Sequence, residues 1–213
     1  MRDLRATSFR DLAELAVGYA LILLVLWTSV PLQGRIYWVA VGACLLITLA
    51  SRPTRDQLGL GRRGLIASLW IVAAALAFAG MSILVAWKLG TLHPLYGRNS
   101  PLNHVIGYMV WAFFQQFLAQ DYFLQRLLNL LPSRGAAVAC AALLFALAHL
   151  PNPVLTPVTL VWGLAAGALF LRYRNLYALG LAQAILGLCI AVSVPDELHR
   201  HMRVGLAYLQ YHP

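Results

Sequence analysis

Long apolar runs broken by short polar stretches make up the chain. Seven runs read as membrane helices, at 12–32, 36–50, 65–87, 105–126, 135–150, 155–171 and 176–194. A hydrocarbon core about 30 Å thick calls for about 20 apolar residues in a helix rising about 1.5 Å per residue. The second and fifth runs are short for a perpendicular crossing, so they are expected to be half-buried or to draw their ends from neighbouring loops. No run alternates in and out as the strands of a transmembrane barrel do. The pattern predicts an all-α polytopic membrane helix bundle of about seven transmembrane helices, with residues 1–213 forming a single domain because no internal repeat or low-complexity segment divides them. The first run is longer than a signal-peptide core and is followed by no small-residue cleavage site, so it reads as a retained anchor.

Between the runs, Arg52 to Gly64 is too polar to span and alternates Leu with Gly, as an inner loop or interfacial turn would. Tyr96 to Asn103, with Pro94, Gly97 and Pro101 nearby, reads as an outer loop. Gly163 and Gly167 form a small-xxx-small pattern that lets another helix approach closely, which speaks for packing rather than chemistry.

Hydrophobic residues make up 61% of the chain and charged residues 11%, which leaves the net charge of +9 to be explained by where the basic residues stand. With the N-terminus inside, the inner segments hold Arg2, Arg5, Arg10, Arg52, Arg55, Arg62, Arg63, Arg126, Arg134, Arg172 and Arg174; the outer ones hold Arg35, Lys88, Arg98, Arg200 and Arg203. Eleven against five follows the positive-inside rule, placing the N-terminus in the cytoplasm and the C-terminal tail opposite. Membrane lipids with anionic headgroups are the expected partners of these charges. No nucleic acid is expected, because no basic stripe carries interleaved aromatics. Cys44, Cys140 and Cys189 all fall inside apolar runs and read as buried packing residues without a disulfide framework.

The fourth run breaks the apolar pattern. Gln115, Gln116, Gln120, Asp121, Gln125 and Arg126 stand in an otherwise apolar stretch. Ionisable groups at bilayer depth are costly and mark functional sites. On an α-helix, Gln116, Gln120, Asp121, Gln125 and Arg126 fall about 100°, 140°, 240°, 280° and 20° from Gln115. Gln116 and Gln120 then share one face and Asp121 lies with Gln125 on another, so the stretch must be enclosed by other helices, or emerge at the inner headgroups where Arg126 snorkels. A structural alternative stands beside the functional one: the glutamines serve as interhelical hydrogen-bonding glue, and Asp121 is neutralised by Arg126. Two further polar intrusions follow, His149 at the end of the fifth run and Gln183 inside the seventh.

These positions resemble the CAAX-protease and bacteriocin-processing (CPBP) family, also called Abi or type II CAAX prenyl endopeptidases. That family carries Glu-Glu-xxx-Arg on one helix, Phe-xxx-His on the next and His-xxx-Asn/Asp near the end. Here Gln120-Asp121-Tyr122-Phe123-Leu124-Gln125 stands at the first motif, Phe145-Ala146-Leu147-Ala148-His149 matches the second, and Gln183-Ala184-Ile185-Leu186-Gly187 stands at the third. Asp56-Gln57-Leu58-Gly59-Leu60 is similar to the Leu-Gly-Leu segment that often precedes this domain, so the likeness covers about 55–194. It implies an intramembrane endopeptidase in which a glutamate and a histidine activate water and the third-motif pair stabilises the oxyanion. It also implies a membrane peptide, prenylated peptide or isoprenoid as partner.

The first and third motifs are substituted. Gln120 cannot accept a proton near neutral pH, Gln183 can donate a hydrogen bond but not act as an acid or base, and Gly187 has no side chain. Asp121 is the one carboxylate left to serve as a base, with His149 orienting water. The catalytic candidates are thus Gln120, Asp121, His149 and Gln183, expected to line one cavity through tilted or kinked helices. The alternative is an inactive family member that binds a lipid, isoprenoid or membrane peptide, or acts as a scaffold. No His-Glu-xx-His or Gly-x-Ser-x-Gly motif occurs, and no cofactor is expected. No metal site is expected either, since His199, His201 and His212, with Asp196 and Glu197, read as a solvated tail.

Overall fold

A computed structural model describes residues 2–62, 64–95 and 101–212. The described residues hold helices and no strand: α1 (Arg2–Leu26), α2 (Val30–Ala50), α3 (Leu65–Leu89), α4 (Pro101–Gln116), a π-helix (Phe117–Leu124), α5 (Gln125–Leu130), α6 (Arg134–Leu147), α7 (Leu155–Tyr173), α8 (Leu176–Ser193), α9 (Asp196–His199) and α10 (Gly205–Leu209). Among the described residues, four helices are long and apolar enough to cross a membrane: Pro31–Ala50, Leu65–Leu89, Leu155–Tyr173 and Leu176–Ser193. The second apolar run is therefore not short. Pro31 in the first turn of α2, where a missing N–H costs nothing, starts that helix six residues ahead of the expected 36. The fifth run does yield a short helix, 14 residues in α6. Of the expected outer loop, residues 96–100 lie outside the described residues, as does Arg63 of the inner loop.

The chain folds into two compact units. One comprises residues 1–53, 118–168 and 203–213. Here α1 packs on α2, α5 and α10, and α5 on α6. A Cβ on Gly163 would lie 3.0 Å from Ala142, and one on Gly167 3.0 Å from Val138, so the small residues let α7 sit close to α6, as their spacing predicts. Asn152 begins α7. Its Oδ1 accepts from the N–H groups of Val154 and Leu155 at 3.0 and 2.9 Å, and its Nδ2 donates to the Arg203 carbonyl at 2.8 Å. Gly205, at φ 57, takes a left-handed conformation where a Cβ would strike the Leu26 carbonyl.

The other unit comprises 54–117 and 169–202. Its centre is α8, packed against both α3 and α4. Two glycines of α8 receive aromatic rings of α4: a Cβ on Gly180 would meet Phe113, and one on Gly187 would meet the Tyr108 hydroxyl. The expected interfacial turn is anchored through Gly59, whose carbonyl accepts from the Leu176 N–H at 2.8 Å. Asn175 caps α8, accepting from Ala178 N–H at 3.0 Å. Along α3, by contrast, Ile66, Trp70, Leu76, Phe78, Met81 and Trp87 are exposed. Water would tolerate that apolar surface poorly; lipid chains match it.

Candidate functional site

The polar stretch of the fourth run does not continue as an α-helix. After Gln116 the backbone becomes a π-helix, with i→i+5 hydrogen bonds, through Leu124. An i→i+5 helix winds less per residue than an α-helix, so the azimuths expected for Gln120, Asp121, Gln125 and Arg126 do not hold. Gln120 and Asp121 both sit in the π-helix, and both are buried.

Tyr122 and Arg126 tie this segment to α1. The Tyr122 hydroxyl donates to the Glu14 carbonyl, and its ring fills the space beside Gly18, where a Cβ would collide with it. Arg126 Nη1 donates to the Tyr122 carbonyl at 2.7 Å, and the guanidinium lies 4.0 Å from the centre of the Tyr122 ring. Its Nε and Nη2 lie 2.8 and 2.7 Å from Glu14 Oε2. The Arg126 side chain thus neither snorkels to the headgroups nor depends on Asp121 for its counter-charge. It is 6% exposed and paired with Glu14, because α1 brings a carboxylate that sequence distance concealed. Asn129, one turn on, donates to Asp11 at 2.9 Å.

His149 follows the last turn of α6 and is buried. Its Nδ1 lies 2.7 Å from the Phe145 carbonyl. A carbonyl only accepts, so Nδ1 carries the ring proton and Nε2 presents a lone pair. The residues of the intact Phe-xxx-His motif also touch edge to face, with ring centroids 4.9 Å apart. Gln120, Asp121 and His149 belong to the first unit.

Gln183 belongs to the second unit, where the structure joins it to two glutamines of α4. Gln116 Nε2 donates to Gln183 Oε1, and Gln183 Nε2 donates to Gln115 Oε1 at 2.6 Å. This is interhelical glue between α4 and α8, the structural alternative that the glutamine-rich pattern raised. One turn later, Gly187 lacks a side chain where the Tyr108 hydroxyl takes the room. Both third-motif positions are thereby engaged in packing.

Of the C-terminal residues expected to be solvated, His212 and Glu197 are exposed, but His199 is not. His199 is fully buried rather than solvated, because Val194 to Met202 folds back on the end of α3. His93, an unremarked residue in the sequence, meets this segment, and only the fold could have paired them.

Residues 97–189 match the family described as Type II CAAX prenyl endopeptidase Rce1-like. The matched segment contains Gln120, Asp121, His149 and Gln183, and it bears out the resemblance drawn from the motifs. No curated protein and no solved structure matches the chain.

Proposed function

We propose that this membrane protein of type II CAAX prenyl endopeptidase likeness hydrolyses a peptide bond of a membrane peptide, prenylated or not, with Asp121 as general base and His149 as its partner. The observation that carries the reading is the His149 tautomer: its Nδ1–H is held by Phe145, leaving Nε2 to accept a hydrogen bond from water. Asp121 is the carboxylate at the first-motif position, on a buried π-helix of the kind that recurs at functional sites. The family pattern's Arg stands one place late in this chain, at Arg126. An i→i+5 turn holds one residue more than an i→i+4 turn, which supports matching Arg126 to that position.

In the reaction, water oxygen attacks the scissile carbonyl while Asp121 takes its proton. The C–N bond then breaks and the leaving amine receives that proton. Gln120, an amide where the pattern has Glu, donates to the developing oxyanion instead of acting as base. The test is purified protein in lipid nanodiscs with prenylated and unmodified membrane peptides, products being read by mass spectrometry. Cleavage by wild type and its loss in Asp121→Asn and His149→Ala variants that retain their helical content support the reading. Equal cleavage by wild type and Asp121→Asn overturns it.

A second reading, a non-proteolytic member that binds a lipid, isoprenoid or membrane peptide or serves as a scaffold, is favoured by one observation. The third-motif positions Gln183 and Gly187 are committed to Gln115, Gln116 and Tyr108. Failure of wild type to cleave any peptide, together with retention of a prenylated peptide on the nanodiscs, selects it.

A further inference from the structure

Away from the polar helix, one end of the second unit carries basic residues without acids to match. There α3 begins at Leu65, α7 ends at Tyr173 and α8 begins at Leu176. The loop ahead of α3 lies on the turn between α7 and α8. The Leu176 N–H donates to the Gly59 carbonyl at 2.8 Å, and the Tyr177 hydroxyl donates to the Leu60 carbonyl at 3.2 Å. A Cβ on Gly59 would stand 3.2 Å from the Arg174 carbonyl, and one on Gly64 would strike the Tyr173 carbonyl; both glycines take left-handed backbone, φ 63 and 70. Arg55 and Arg62 of the loop are thereby held at the same end of the unit as Arg172 and Arg174 of the turn.

Aromatic contacts orient two of these arginines. The Arg172 guanidinium lies 5.3 Å from the centre of the Tyr173 ring, and that of Arg174 lies 5.2 Å from the centre of the Phe170 ring, the same ring that a Cβ on Gly59 would meet. Such a contact uses the face of a guanidinium and leaves its N–H edge and its charge to other partners. Among the described residues, ion pairs form at Glu14 and Asp196, and none includes Arg55, Arg62, Arg172 or Arg174. Asp56, the acid of this loop, turns back over Gly61, where a Cβ would collide with its Oδ1. Four cations therefore face outward against one anion. The depth of this end is set by its helices, since α3, α7 and α8 are all able to cross a bilayer and their ends belong at headgroup level. Trp70 Nε1 donates to the Tyr173 hydroxyl at 3.2 Å, a pairing of amphipathic rings suited to that level. Ile66 and Leu69, in the first turns of α3, are exposed and apolar.

We propose that this end of the second unit is a binding site for an anionic phospholipid, whose headgroup pairs with Arg172 and Arg174, supported by Arg55 and Arg62, and whose acyl chains lie on Ile66, Leu69 and Trp70. The proposal narrows the general attraction of basic residues to anionic membranes to one place on the protein. Guanidinium groups suit phosphate because their N–H donors are paired in a fixed fork. The joining of exposed cations to an exposed apolar strip is what selects a lipid, because a soluble anion matches the charge alone. The bound lipid would hold the loop on the ends of α7 and α8, a role separate from peptide hydrolysis.

The experiment uses the full chain, delipidated in a non-ionic detergent and titrated with phosphatidylglycerol or with phosphatidylcholine of the same acyl chains, bound lipid being counted by native mass spectrometry. Expected is saturable uptake of phosphatidylglycerol at concentrations where phosphatidylcholine shows none. Arg172→Gln and Arg174→Gln should each weaken that uptake about fivefold, and the pair together about thirtyfold. Arg134→Gln, at an exposed position in the first unit, should bind as wild type does. Because Arg174→Gln also removes the contact with Phe170, Arg62→Gln, an exposed loop position, supplies a check away from the turn, again with a loss of about fivefold. Wild type that takes up the two lipids alike overturns the site without any mutation. So does a loss in Arg134→Gln as large as in Arg172→Gln, which would mark diffuse attraction, or displacement of the lipid by inorganic phosphate at equal concentration, which would mark a site for a soluble anion.

Discussion

At the scale of single residues, the proposed mechanism turns on Gln120, which stands where the family pattern has Glu. An amide preserves shape and hydrogen bonding but cannot take a proton, so in that proposal the task falls to Asp121 and the Nε2 lone pair of His149. Removing either should lower turnover about 10²–10⁴-fold, measured as initial cleavage rates in nanodiscs. Gln120→Glu should raise the rate by restoring a base at the first-motif position; an unchanged or lower rate would place the reacting water elsewhere. Gln183 should behave differently. With its amide held between Gln115 and Gln116, Gln183→Leu should cost about 1 kcal/mol of stability and leave the Asp121-dependent rate near wild type. Loss of cleavage without loss of stability would assign Gln183 to the chemistry instead. Glu14→Ala leaves the buried Arg126 without its carboxylate, and about 3–5 kcal/mol of destabilisation is expected for a broken buried pair, seen as a lowered thermal midpoint in detergent.

At the scale of elements, small residues decide which helices meet. Gly18 admits the Tyr122 ring, so α1 can close on the π-helix and bring Glu14 to Arg126. Gly18→Leu should force that ring aside at a cost of about 1–3 kcal/mol, while Gly34→Leu, at a position with open space beside it, should leave the midpoint unchanged. Equal effects at the two sites would remove the Tyr122 contact as the explanation. The same logic covers α6 and α7, where Gly167 faces Val138, and α8 and α4, where Gly187 faces Tyr108.

At the scale of the molecule, exposed apolar surface and the distribution of arginine set its place in the cell. Ile66 at 85% and Trp38 at 71% exposure belong against lipid chains, and four helices among the described residues have the length and composition to cross a bilayer. From the bias of basic residues we propose that the N-terminus and the Arg52–Gly64 loop lie in the cytoplasm. In a background carrying Cys44→Ala, Cys140→Ala and Cys189→Ala, an impermeant maleimide should reach Gln57→Cys only from the cytoplasmic side and Asn99→Cys only from the other. Labelling of both from one side would refute this orientation.

What the sequence determined alone are the properties that depend on composition and near neighbours. Apolar runs set the helices, Gly163 and Gly167 set a close packing face, and Gln120-Asp121 with Phe145-xxx-His149 marked the family likeness. The π-helix could not be read from residue spacing. Its i→i+5 register accompanies contacts from a distant helix, Tyr122 with Gly18 and Arg126 with Glu14, which a helical wheel does not contain. The fate of Gln183 likewise hung on whether α4 would present Gln115 and Gln116 to it, across 68 and 67 residues of chain. His93 and Asp196 carry no shared pattern at all. Distant partners of this kind are chosen by how helices pack, so the fold alone brought that imidazole to that carboxylate.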